Sequence, residues 1–402
     1  MGVKRPFSTN IFLLKFLALL VAAAVWLPCV HLFYKPDVGQ YRCKNGVSSK
    51  ARMVAARHLG IWTDPTLRRL ELQKMQNRNP EWHFMSRTFF VLALANMALS
   101  DSEYKQQACD IIDAIIDNTI KLEQEKGFEH FLLSYGRVGG WIMHPPRSQF
   151  FDGEVALMLG ARRLIEEKAS YKPLLREQVK VMVSRMSRSP VLCAESYPDE
   201  CWTFCNTVSL AAIRISDVLD GTDHSEFLSS WVDTASRKLI DHKSGLLISA
   251  FGVDGTPAGC GFGPEGSTIW MATHMLQIVN EQFATDQYRL AREKLGRSIL
   301  GFGYSREWPV DSTGPMDIDS GPVVPFFGAS ASASGLAIVA AAAFDDTDYF
   351  TKLFTSMNFA AFPKESDGEL RYQAGNPLGD AVVLYAMVQG PLWNNVKRRS
   401  GQ

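Results

Sequence analysis

The chain has 402 residues, with 42 Lys plus Arg against 42 Asp plus Glu, so its formal net charge is zero. That balance excludes nucleic acid as a main partner, because phosphate binding needs a basic excess. A hydrophobic share of 46% and a charged share of 21% exclude a disordered chain and suit a protein that buries a large core.

Residues 1–10 carry Lys4 and Arg5, and the segment that follows, 11–34, is almost uniformly apolar, with Lys15 and His31 as its only interruptions. Its length is near the roughly 20 residues that cross a bilayer. Basic residues ahead of it predict a single-pass signal anchor with a cytoplasmic N-terminus and the rest of the chain on the exported side. A cleaved signal peptide, cut near Ala22-Ala23-Ala24, is the rival reading. Residues 35–49, with Pro36, Gly39 and Gly46, read as a linker, and 50–395 as one domain.

From Ser49 onward apolar residues recur at three- and four-residue spacing, which predicts helix after helix. The expected segments are Ser49–Leu59, Pro65–Asn77, Trp82–Leu99, Ser102–Leu122, Phe150–Glu167, Lys172–Arg188, Thr203–Leu219, Ser225–Ile240, Ser267–Val279, Phe283–Leu300, Ser330–Phe344, Thr347–Ala361 and Pro377–Val388. Asp101-Ser102, Thr207 and Asp346 read as caps. Leu246–Phe251, Pro322–Phe327 and Arg371–Ala374 read as short strands. Short joints such as Leu99-Ser100-Asp101 make neighbouring helices antiparallel. A dozen helices in successive hairpins predict an all-α fold, an (α/α)6 toroid preceded by the transmembrane helix.

Four long loops, 128–149, 189–202, 252–266 and 301–329, are expected to meet at one end of that toroid, since loops of such length are more often functional than idle. The densest chemistry is CAESYPDECWTFCN, Cys193 to Asn206. Cys205 falls where a helix opens, and a helix N-terminus favours thiolate. Asp199 and Glu200 offer carboxylates for acid/base work, with a capping role as the plain alternative for Asp199. Glu154 follows the loop ending at Gln149 and faces inward if its helix belongs to the inner ring. Glu265 precedes another helix, with Trp270 one turn on. Asp317 and Asp319 share one side of an extended segment, a glycosidase-like pairing. Trp141, Tyr197, Trp202, Asn206, Trp270, Asp319 and Tyr372 complete the expected substrate contacts. His274 reads as a structural histidine. The seven cysteines contain no Cys-x-x-Cys pair and no metal site is expected. Cys43 with Cys109 is the preferred disulfide pair if the domain is exported, with free thiols as the alternative.

Pro198-Asp199, then Cys205-Asn206 opening a helix, then ISDVLDGTDHSEFLSSWVD, KLIDHKSGLL, Leu370-Arg371-Tyr372 and Gly379-Asp380 resemble the linalool dehydratase/isomerase family. The resemblance implies an (α/α)6 enzyme that works without a cofactor, dehydrating and isomerising a terpene alcohol by proton transfer in an apolar cavity. It puts Cys205 in the place of the second catalytic cysteine. The first Cys-Glu of the family motif falls on Ser196-Tyr197 here, and Glu154 stands in place of a histidine. The expected function is therefore a lyase or isomerase of an apolar, lipid-soluble small molecule, with a homo-oligomer left open. Two alternatives remain: a glycosidase or epimerase stacking sugars on Trp141, Trp202, Trp270 and Trp308, and a non-catalytic membrane-tethered binding protein.

Overall fold

The structure is a computed structural model that describes residues 8–401 except 44, 258–262 and 313; Lys4, Arg5 and Cys260 thus lie outside the described residues. The apolar helix α1 (Ser8–Trp26) runs into a 3-10 turn, Leu27–Phe33, and its apolar side chains from Ile11 on are exposed. It is long and apolar enough to cross a membrane. Then come α2 (Val38–Tyr41), α3 (Ser49–Thr63) and α4 (Pro65–Arg78).

The barrel follows as α5 (Pro80–Ser100), α6 (Lys105–Lys126), α7 (Gln149–Ile165), α8 (Tyr171–Met186), α9 (Thr203–Asp220), α10 (Ser225–Lys238), α11 (Gly266–Leu276), α12 (Glu281–Lys294), α13 (Ala331–Ala343), α14 (Thr347–Ala360), α15 (Pro377–Val388) and α16 (Pro391–Ser400). Among the described residues, α5, α7, α9, α11, α13 and α15 pack side to side, and α15 closes on α5, making a ring of six. These helices are buried nearly all round: every residue of α11 is buried, and so is α15 from Asp380 to Val388, the pattern of a helix enclosed by protein. The helices between them are amphipathic and form the outer layer, with α3 and α4 covering the seam between α15 and α5. The fold is the (α/α)6 toroid.

Because inner and outer helices alternate in direction, all six inner N-termini lie at one end, the mouth. The far end is shut by α16. There Trp393 Nε1 donates to the His274 carbonyl (3.2 Å) and its ring stacks on His274, while the Leu392 amide donates to Asn96 Oδ1 (2.9 Å). His274 is structural: both ring nitrogens have partners, Gln277 and Tyr385, and burial lowers its pKa to about 4.

Small sheets decorate the mouth. They are β1 (Cys201–Trp202) with β2 (Ala250–Phe251), the hairpin β3 (Gly296–Ile299) and β4 (Phe302–Ser305), a flap of β5 (Asp317–Ile318), β6 (Gly321–Val324) and β7 (Ala329–Ser330), and the hairpin β8 (Pro363–Ser366) and β9 (Glu369–Tyr372). Four sequence expectations change. The helix expected over Phe283–Leu300 stops at Lys294, because Leu300 (φ 48°) and Gly301 (φ 84°) make a two-residue left-handed turn that pairs β3 with β4. Thr207 caps nothing; it lies inside α9 and donates to the Thr203 carbonyl. The Cys43–Cys109 bridge is absent: Cys43 bonds back to the carbonyls of Asn45 and Gly46, and Cys109 is buried on α6. The closing helix α16 was not anticipated. Asp101 and Asp346 do cap, accepting from Glu103 and Tyr349.

Candidate functional site

The loop 193–200 is pinned by its own polar side chains. Glu195 is fully buried and accepts from the amides of Ile142 (2.8 Å), Met143 (2.7 Å) and Asp199 (2.8 Å), clamping the 128–149 loop to it. Asn206, also fully buried, exchanges two hydrogen bonds with the Ala194 backbone and donates to the Trp202 carbonyl. Its amide is thus committed to holding the loop, not to a substrate. Between these anchors Ser196 is carried to the side of the Cys205 thiol.

Helices α7 and α9 come close enough to bring their first turns together because Gly153 has no side chain: a Cβ there would lie 2.4 Å from Ser209 Oγ and 3.3 Å from the Cys205 carbonyl. Glu154, the next residue, is buried and accepts from Thr88 Oγ1 of α5 (2.5 Å). Glu81, in the first turn of α5, accepts a hydrogen bond from Tyr197 Oη, which in turn accepts from the Leu133 amide (2.9 Å). Tyr135 stacks on Tyr197 with ring centroids 4.5 Å apart. Cys205 lies within electrostatic reach of both Glu154 and Glu81.

A second tier of acids stands nearer the opening. Glu200 accepts from Trp202 Nε1 (3.1 Å) and senses Asp319 of the flap. Glu265 senses Glu307, Asp319 and Glu200, and its amide donates to Ser249 Oγ (2.7 Å). Glu307 is fully buried and accepts from the amide (3.1 Å) and hydroxyl of Ser267.

Desolvation dominates the electrostatics. Burial raises Glu154 to about 8, against the opposing Thr88 hydrogen bond. Burial, resisted by the Tyr197 hydrogen bond and aided by Asp319 and Glu200, raises Glu81 to about 7. Burial and then Glu307 raise Glu265 to about 8. Glu200, Asp319 and Glu307 also move up, burial first. The Cys205 thiol is pushed up as well, so the helix N-terminus does not make it a thiolate: loss of water outweighs the partial positive charge. Glu154 and Glu265 thus keep their protons at neutral pH, Glu81 titrates close to it, and Glu154 and Glu81 both lie within reach of the protonated Cys205 thiol.

The structure brings Cys205, Glu154, Glu200, Glu265, Tyr197, Trp202 and Asp319 together. It separates others. Asp199 occupies a left-handed turn position (φ 57°) with its side chain exposed, and α9 begins without a side-chain cap. Trp270 is fully buried in the wall, donating to Ser305 Oγ (2.7 Å) and packing on Tyr288 and Tyr349. Trp141 is buried edge-on against Phe128. Tyr372 is buried near Tyr41 and Asp380, beside the Asp380–Arg57 ion pair (2.8 Å). Sequence reasoning missed Glu81, Thr88, Tyr135 and Glu307. Only Glu81 left a trace, as the acid following the Asn79-Pro80 helix start.

The sequence pattern of the linalool dehydratase/isomerase family matches residues 150–378, more than half of the chain. No curated protein sequence matches. Among solved structures, a GH76 alpha-mannanase of Bacteroides thetaiotaomicron is similar at 16% identity, covering 79% of this chain and 87% of that one, with a TM-score of 0.47. A possible GH105 family member from Salmonella enterica serovar Paratyphi A is similar at 12% identity, covering 77% and 83%, with a TM-score of 0.49. A D-mannose isomerase is similar at 13% identity, covering 78% and 86%, with a TM-score of 0.50, and shares the fold.

Proposed function

The chain belongs to the linalool dehydratase/isomerase family, and from that premise we propose that it is a lyase or isomerase acting on an apolar, terpene-like allylic alcohol. The observation that carries this reading is the mouth itself: Glu154 and Glu81, with pKa values near 8 and 7, flank one protonated thiol. Two carboxyls set apart in this way supply an acid and a base at the same pH.

In the proposed reaction Glu154 gives its proton to the substrate hydroxyl. The C–O bond breaks and water leaves, giving an allylic cation. The Glu81 carboxylate takes a proton from the neighbouring carbon, and the freed electron pair forms the new double bond. The Cys205 thiol then passes its hydrogen to Glu154 and receives one from Glu81, restoring both groups. Isomerisation uses the same first step, after which water adds to the other end of the allylic cation and the Glu154 carboxylate takes the proton this water releases, giving the isomeric alcohol. Ser196 stands beside the thiol as a hydroxyl in the place of the family motif's first cysteine, which makes Cys205 the single thiol of this relay. The water-poor surroundings that raise these acids also suit an apolar substrate.

The buried positions of Trp141, Trp270 and Trp308 support this reading over a sugar site, because only Trp202 of the four candidate tryptophans remains for stacking. We read α1 as a retained anchor with the barrel on the exported side, which suits a substrate dissolved in the bilayer. The test is turnover of tertiary allylic terpene alcohols and of aryl glycosides by the full chain in detergent, with Cys205→Ala and Glu154→Gln alongside. Loss of alcohol turnover in both variants is expected. Turnover of glycosides alone, or equal turnover by all three proteins, would overturn it.

A further inference from the structure

The mouth of the barrel and the exit of α1 stand at the same end of the molecule. Each outer helix runs back toward the inner N-termini, so the hairpins that follow α12 and α14, β3–β4 and β8–β9, both rise beside the mouth. The 3-10 turn that continues α1 is docked on that same corner. His31 and Tyr34 lie against Phe302 of β4 (ring centroids 6.3 and 6.4 Å), Tyr34 packs edge-on against Phe359 (5.1 Å), and Asn358 Nδ2 donates to the Tyr34 carbonyl (3.0 Å). Gly301, at the β3–β4 tip, admits the His31 ring: a Cβ there would lie 2.3 Å from it.

Large apolar side chains are left uncovered around this junction. Phe33 is 76% exposed and Phe362 64%, and Ile299, Leu300 and Phe359 are each about half exposed. Beyond them β4 leads into the flap, held by Arg306 Nη1 donating to the Phe327 carbonyl (2.7 Å), and the flap turn presents Phe326 fully to the outside. An apolar surface of this kind on a folded domain marks an interaction site. Trp26 ends α1 and is exposed, in the place where aromatic residues sit at a membrane–water boundary.

We propose that this rim is a second membrane contact: Leu300, Phe362 and their neighbours dip into the outer part of the bilayer that α1 crosses, so that the barrel mouth lies against the membrane. The occupant is lipid, because α1 delivers the chain directly into this patch with no free linker between them. An apolar side chain sunk into the interfacial layer gains binding in proportion to the area covered. A mouth held there receives an apolar substrate from the bilayer without its crossing water. The inference rests on α1 being a retained anchor, and it deepens the reading of the site as one for a lipid-soluble alcohol.

The test is photocrosslinking of the full chain in phosphatidylcholine vesicles, with p-benzoylphenylalanine in place of Leu20, Leu300, Phe362 or Asp223 in turn. Leu20 reports the anchor, and Asp223, in the exposed loop between α9 and α10 at the far end, is the negative control. Lipid adducts, read as a mass shift, are expected at Leu20, Leu300 and Phe362, with none at Asp223. Adducts at Leu20 alone would overturn the rim contact and keep the anchor. Adducts at none of the four would remove the anchor and the rim contact together. Adducts at Asp223 equal to those at Leu300 would overturn the orientation.

Discussion

Replacing Glu154 by Gln separates a functional acid from a structural one, because stability and activity move in opposite directions. Burial raises Glu154 from its usual 4.5 to about 8. Between those values the folded protein holds a proton that the unfolded chain has lost, so stability falls as pH rises from 4.5 toward 8. At pH 7 the effect of this one group is about 3 kcal/mol relative to pH 4. Gln has the shape of the protonated acid and its Oε1 accepts from Thr88 as Glu154 does, yet it has no proton to lose. In urea unfolding of the full chain in detergent, the variant is expected to match the wild type at pH 4 and to exceed it by about 3 kcal/mol at pH 7. Its alcohol turnover is expected to fall by about 100-fold or more, the usual worth of a positioned acid. A stability difference that does not change with pH, or a wild type more stable than the variant at pH 7, would mean that Glu154 is ionised in the folded state and would refute the reasoning.

Other substitutions and probes test neighbouring parts of the site. With its thiol buried and its pKa raised, Cys205 should resist iodoacetamide at pH 8 in the folded protein while the exposed Cys43 reacts, and peptide mapping reads both. Tyr197→Phe removes the hydrogen bond that holds Glu81 down at about 7, so the acidic limb of the kcat/KM profile should move to higher pH. Asn206→Ala strips three hydrogen bonds from the 193–206 loop and should cost about 2–4 kcal/mol in urea unfolding, at about 1 kcal/mol per bond. Trp270→Phe, which loses the bond to Ser305 and part of a fully buried ring in the barrel wall, should lower stability by about 2–3 kcal/mol and leave KM unchanged.

The inner helices were legible because apolar residues recur at three- and four-residue spacing through α7, α9 and α15. The β3–β4 hairpin was not, because Ile299 and Leu300 continue the apolar spacing of α12 while in space they are half exposed; the signal was the glycines at 296, 301 and 303. Cys205 and Glu154 were found because each starts a recognisable inner helix beside a long loop. Glu81 was missed because its partner Tyr197 lies 116 residues away, and only the packing of α5 beside α7 in the ring brings the two loops' residues together. Asn206 drew attention as the neighbour of Cys205 in the family-like motif, and Trp270 as the residue one turn beyond Glu265. Their polar atoms turned out to be occupied by backbone groups and by Ser305, partners that no local pattern displays.

The most direct measurement of the central claim is the product of a tertiary allylic terpene alcohol incubated with the full chain in detergent at pH 7, read by gas chromatography with mass detection. Wild-type protein should release the dehydrated diene or the isomeric alcohol, and Cys205→Ala and Glu154→Gln should release neither. Undiminished product from the Glu154→Gln protein would contradict the account.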